Sequence, residues 1–202
     1  MTTTAGQTYV VNGLTVPAGA SLWLPAGVVV KMKDGQSLFV SGELEATGTE
    51  MEPVVVTGLR DDSVGGDTNN DGVVSAPARG NWLSLFVEAG GRAELAHMEV
   101  RYGGGYTSWP FYSNVADLLV RGGATLDGVT LEQSGGNGLW VQAGSAVTAT
   151  AVTARQNAAH GVYLDGGRAS LTGSQLSGNG VDGANVYQAA LALEGGVLQQ
   201  NG

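Results

Sequence analysis

Between Leu59 and Trp82 the chain runs Arg60-Asp-Asp-Ser-Val-Gly-Gly-Asp-Thr-Asn-Asn-Asp-Gly-Val-Val-Ser-Ala-Pro-Ala-Arg-Gly, a segment too long and too polar for an ordinary connection. Asp67, Asn69 and Asp71 alternate and Gly72 follows. That spacing is the first half of a calcium loop, with oxygen ligands on every second residue and a glycine at the sharp turn. Val73 is placed to add its main-chain carbonyl. The match then stops, because Ala78 stands where an EF-hand carries its bidentate Glu and no helical pattern flanks the loop. An EF-hand is excluded. Asp61 or Asp62 can supply the missing charge, which puts four carboxylates within eleven residues with Arg60 as the nearby cation. A flexible cage of carboxylates and carbonyls suits Ca²⁺ better than Mg²⁺, which demands near-octahedral geometry. The same residues also fit a solvated turn in which Asp and Asn bond their own backbone. A bound ion would staple this loop rather than perform chemistry.

A second unusual segment is Tyr102-Gly-Gly-Gly-Tyr106-Thr-Ser-Trp109-Pro-Phe111-Tyr112. Tyr106, Trp109, Phe111 and Tyr112 combine apolar ring faces with polar tips, as surfaces that stack on sugars or anchor a protein partner do. The alternative is a cover that buries Trp109 and Phe111 against the body of the molecule. Trp140 and Tyr163 form a further aromatic pair on one strand face, and Tyr187 extends it if the register slips by one residue. No catalytic residue is assigned. His97, in a strand-like run, and His160, in a turn, have no Ser or Cys partner at a recognisable spacing, and no nucleophile elbow, phosphate-binding loop or zinc-binding His pair is present. Glu132 and Arg155 align as an exposed ladder ion pair, worth little.

The elements that carry these residues follow from composition and periodicity. The 202 residues include 34 Gly and no Cys, 13% are charged, and the formal net charge is -9. The acidic balance repels nucleic acid and anionic lipid. Without Cys there are no disulfides or thiol nucleophiles, so packing and backbone bonds must hold the fold. The first charged residue is Lys31, and Pro17 and Pro25 interrupt the apolar stretches, so neither a signal peptide nor a membrane helix is predicted at the start. Residues 133–154 are uncharged but too polar for lipid.

Self-similarity near 22 residues dominates the last third. Leu139-Trp-Val-Gln-Ala-Gly lies over Val162-Tyr-Leu-Asp-Gly-Gly, and Leu118-Leu-Val-Arg-Gly-Gly precedes both. The same offset aligns Leu131, Ala154, Leu176 and Leu198, and likewise Leu126, Ala149, Leu171 and Leu193. Residues alternate as strands do, with no helical stripe. Such a unit cannot bury its own apolar face, so copies must stack into a solenoid with a shared core. Ser134, Asn157, Asn179 and Asn201 recur at the same period and predict a side-chain amide ladder. No flat Thr array is read at the coil period, which sets ice binding aside.

Looser copies run through "LTVPAGASLWLPAGVVVKMKDGQSLFVSGELEATGTEMEPVVVTGL" and "AELAHMEVRYGG". With the acidic insert and the later coils, they resemble right-handed parallel β-helix repeat modules of the pectate-lyase-like architecture, found in large secreted or cell-surface bacterial proteins. The resemblance implies an all-β, single-stranded right-handed parallel β-helix of about 22 residues per coil. As one domain over 1–202 it divides into N-terminal coils (8–58), acidic insert (59–82), a coil (83–102), aromatic loop (103–117) and C-terminal coils (118–202). It implies secretion or surface display and a role as stalk, adhesin or glycan-contacting surface, with a polysaccharide-active lyase or epimerase as the alternative. That enzyme would need ionisable groups gathered along the aromatic loop and the Trp140–Tyr163 face. The repeat is still running at Asn201-Gly202, and the expectation is further coils of a parent chain or self-association at that end.

Overall fold

The computed structural model describes residues 3–107 and 113–202. Seven coils of three strands stack in sequence order, and the opening strand of an eighth follows. The first two coils are β1 (Thr8–Val11), β2 (Leu14–Val16), β3 (Ser21–Pro25) and β4 (Val29–Met32), β5 (Leu38–Val40), β6 (Glu43–Thr47). The third is β7 (Val54–Gly58), β8 (Leu85–Val87), β9 (Arg92–Ala96), with the acidic insert between β7 and β8. In the fourth, β10 (Met98–Arg101) is separated from β13 (Ala116–Val120) and β14 (Gly123–Asp127) by an antiparallel pair, β11 (Tyr106–Thr107) and β12 (Ser113–Asn114). The fifth and sixth are β15 (Thr130–Glu132), β16 (Asn137–Gln142), β17 (Ala146–Thr150) and β18 (Thr153–Arg155), β19 (Val162–Asp165), β20 (Arg168–Thr172). Last come β21 (Gln175–Ser177), β22 (Ala184–Tyr187), β23 (Ala190–Glu194) and β24 (Val197–Gln199).

Strands at the same place in successive coils pair in parallel, giving three sheets: β1-β4-β7-β10-β15-β18-β21-β24, β2-β5-β8-β13-β16-β19-β22 and β3-β6-β9-β14-β17-β20-β23. The register reproduces the repeat columns: Leu131, Ala154, Leu176 and Leu198 are successive partners, as are Leu126, Ala149, Leu171 and Leu193. In the third sheet the strands alternate exposed and buried, and their inward side chains join those of the other two sheets in one continuous apolar core from Val16 to Leu176. This alternation is what a sheet with one wet face requires. Corners bend sharply, and His97 sits in one of them with φ 45° rather than in a strand.

The polar corner column is a ladder. The Asn179 Oδ1 accepts from the Asn157 main-chain N–H (3.2 Å) and Nδ2 (3.0 Å), while the Asn179 Nδ2 donates to the Ala154 carbonyl (3.1 Å) and to the Asn201 Oδ1 (2.9 Å). All four hydrogen-bonding sites of this buried amide are filled, so it carries no desolvation debt. The facing column must be glycine: a Cβ on Gly138 or Gly161 would lie 2.7 or 2.8 Å from the Nδ2 of Asn157 or Asn179.

Candidate metal centre and the aromatic face

Strict alternation puts one outward column on the first sheet, running Lys31, Thr57, Arg101, Glu132, Arg155. The acidic insert folds back over this column. Asp61 is fully buried and accepts hydrogen bonds from the Thr57 hydroxyl (2.7 Å), the Ser63 hydroxyl (2.6 Å) and Arg101 Nε (3.0 Å). Burial works against its charge, but the bonds from Ser63 and Thr57 and the Arg101 guanidinium outweigh it and hold the carboxyl below the usual carboxylate range. Arg101 also lies 3.5 Å from Glu99 and 3.9 Å from Glu132, and Glu132 pairs with Arg155 at 2.7 Å. Glu132 is buried rather than exposed, so this ion pair belongs to a packed network.

Lys31 is the second anchor. Its side chain has no solvent exposure, and its ammonium donates to the Gly66 carbonyl and lies 3.9 Å from Asp62 Oδ1. Burial pushes this ammonium below the usual lysine range, against the pull of Asp62, Asp61 and Asp67. The sequence pointed to Arg60 as the insert's counter-charge, yet Arg60 pairs with Asp34. The cations that dock the insert are Lys31 and Arg101, far away in the chain.

Beyond these anchors, Asp62, Asp67 and Asp71 each offer a carboxylate oxygen within 4.8 Å of the others. Asp61 is not among them. Asp67 Oδ2 accepts the Gly72 N–H at 2.9 Å, which closes the turn; that bond, with further main-chain bonds, holds its carboxyl below the usual range. Asn69 Nδ2 donates to Asp71 Oδ2 (2.9 Å) and to the Ser75 hydroxyl (3.0 Å), which aims its oxygen the other way. The Oδ1 atoms of Asp62, Asn69 and Asp71 and the Thr68 hydroxyl are shielded from solvent without a hydrogen-bond partner. The Val73 side chain is fully exposed, leaving only its carbonyl to contribute. Three carboxylates against one ammonium leave two negative charges, and the oxygen-only donor set fits a hard divalent ion.

On the second sheet the outward column is Phe39, Phe86, Leu119, Trp140, Tyr163, Asn185. Trp140 and Tyr163 have ring centroids 5.5 Å apart, and Phe39 and Phe86 stack at 5.1 Å. Tyr187 does not extend this stripe; it pairs with Asp165, and Asn185 takes its place. Although the column faces outward, Leu119 is completely buried and Phe86 and Trp140 nearly so, packed with Val115, Ala116 and Leu83. Tyr106 is exposed, and Trp109, Phe111 and Tyr112 lie outside the described residues.

Two features escaped the sequence. His160 Nδ1 lies 3.1 Å from Asp182, with its ring 5.6 Å from that of Tyr163. The third sheet also carries a short hydroxyl array, Thr125, Thr148, Ser170 beside Asp127, Thr150, Thr172, all exposed. Reading the repeat through its apolar columns hid the two columns that flank Leu126.

The fold defines a class, the parallel β-solenoids, with about eight turns. No protein-family model matches the chain, and neither a curated protein nor a solved structure does. Among the described residues no helix is long and apolar enough to cross a membrane.

Proposed function

We propose that this chain is a non-catalytic module of a secreted or cell-surface protein, a right-handed β-helix of the pectate-lyase-like kind. It would serve as a stalk, adhesin or glycan-contacting surface, with its acidic insert stapled to the first sheet by Ca²⁺. The observation that supports this is the convergence of Asp62, Asp67 and Asp71 above the Lys31 anchor, with solvent-shielded oxygens that have no donor. Such oxygens cost free energy unless a cation or another donor meets them. A staple gives the longest insert of the solenoid a fixed shape without a core of its own.

Thermal unfolding in CaCl₂ and in EDTA tests this, comparing the wild type with Asp67→Asn/Asp71→Asn. Calcium at a hundredfold excess over its Kd adds about 2.7 kcal/mol, a Tm rise of roughly 5–10 °C for a domain of this size, which the double variant should lose. An unchanged wild-type Tm at millimolar calcium would remove the staple.

The alternative, a polysaccharide-active enzyme of the lyase or epimerase type, has one observation in its favour: the His160–Asp182 pair beside Tyr163. Depolymerisation of an acidic glycan that disappears in His160→Gln would support it.

A further inference from the structure

The amide ladder changes character in the fourth coil. In the later coils, each main-chain N–H of the column donates to the side-chain oxygen of the asparagine one coil on: Ser134 to Asn157, Asn157 to Asn179, Asn179 to Asn201. Gly103 occupies the preceding rung, and the residue above it is Ser134, which is too short to serve. The Gly103 N–H donates instead to Asp117 Oδ1 at 2.9 Å. Asp117 comes from the facing column, where register sets it beside Gly138 and then Gly161. Those glycines leave room for the asparagines, whereas here the missing asparagine leaves room for a side chain. Trp82 is buried against this rung, and its Nε1 donates to the neighbouring Arg101 carbonyl at 2.9 Å.

Asp117 is therefore an acid in a place built for an amide. It is fully buried, and its Oδ2 has no hydrogen-bond partner. Glu132, from β15, is the ionisable group whose charge acts on it; Glu132 is itself held by Arg155 and near Arg101, and among the described residues no cation pairs with Asp117. Burial pushes the Asp117 carboxyl well above the usual range, Glu132 adds to the rise, and the Gly103 bond offsets only part of it. The bond ties the corner at Gly103 to β13, next to the Val115 N–H bond to the Gly105 carbonyl (3.2 Å) and the pairing of β11 with β12.

We propose that Asp117 is a proton-linked rung of the ladder: as a neutral acid it stands in for the missing asparagine and ties β13 to the corner at Gly103, and loss of its proton destabilises that corner. A carboxylate at this position would be a buried charge with one oxygen unpaired and an acidic neighbour, a desolvation cost that the single bond from Gly103 offsets only in part. The sign follows from linkage. A carboxyl raised on folding stabilises the fold fully below its unfolded value, about pH 4, and that contribution is lost as pH rises toward the folded value.

The test compares urea unfolding of wild type and Asp117→Asn from pH 4.5 to 8 at fixed calcium. Asn keeps the acceptor and cannot ionise. The ratio of their unfolding constants should grow tenfold per pH unit until the folded value is reached. Parallel stability curves would overturn the proposal. A second measurement needs no variant: the Asp117 ¹³Cγ resonance of the wild type should titrate above the ordinary carboxylate range, and a midpoint at about pH 4 would overturn the proposal.

Discussion

Asp61 and Asp62 are neighbours with opposite employment. Asp61 turns inward to Arg101, Thr57 and Ser63, and Asp62 turns toward Lys31 and the carboxylates of the loop tip. A fully buried carboxylate paired with a nearly buried guanidinium is costly to break by halves, because the surviving charge keeps its desolvation penalty. Asp61→Asn should therefore destabilise the protein by about 3 kcal/mol at pH 7 in urea denaturation. Because the Asp61 carboxyl is held down on folding, its contribution is complete above about pH 4 and fades as pH falls through the folded value. The difference between wild type and variant should shrink accordingly in acid. A difference unchanged from pH 7 down to pH 2 would show that shape rather than charge makes Asp61 necessary.

Each coil is an element that cannot stand alone, and its cohesion comes from the sheets and the corner ladder. Asn179→Ala would leave the Asn157 N–H and Nδ2 and the Ala154 carbonyl without their partners in a buried corner. With about 1–3 kcal/mol for each stranded group, partly relieved by water, the expected loss is about 3 kcal/mol. Asn179→Asp should cost as much at neutral pH, since a carboxylate cannot donate to Ala154. Denaturant titrations of both variants check this; an Asp variant as stable as wild type would mean that the ladder needs only its acceptors. The aromatic stripe is the counterpart on the outer face. A column that points out yet is buried at Leu119 and Trp140 is a covered surface, and exposure returns toward its ends, at Phe39 on one side and at Tyr163 and Asn185 on the other.

At the scale of the whole molecule, a solenoid couples each coil only to its neighbours, so stability varies along its axis. The middle coils have pairing strands on both sides and fully buried interiors, whereas Val186, Val197 and Leu198 in the last strands are about half exposed. Amide exchange should be slowest in β13 through β20 and faster by orders of magnitude in β22 to β24. Uniform protection from β4 to β24 would show a single cooperative unit.

The sequence by itself determined the architecture. A period near 22 residues with strand alternation admits one way to bury the apolar columns, so the stacking, the core register and the Asn ladder were all legible. It also marked both inserts, because they interrupt the period. The tertiary structure decided what the inserts meet. Lys31 on β4 and Arg101 on β10 flank β7, from which the insert leaves, one strand to either side, yet both are many residues away in sequence, and a charge within an apolar run gives no sign of the partner it awaits. The same holds for Asp117, which reads as an ordinary outward residue until the register sets it opposite glycines, and for His160 and Asp182, one coil apart. Local order follows from neighbours in the chain. Charge compensation follows from neighbours in space, and only the stacking of coils, about 4.8 Å at each step, makes those neighbours.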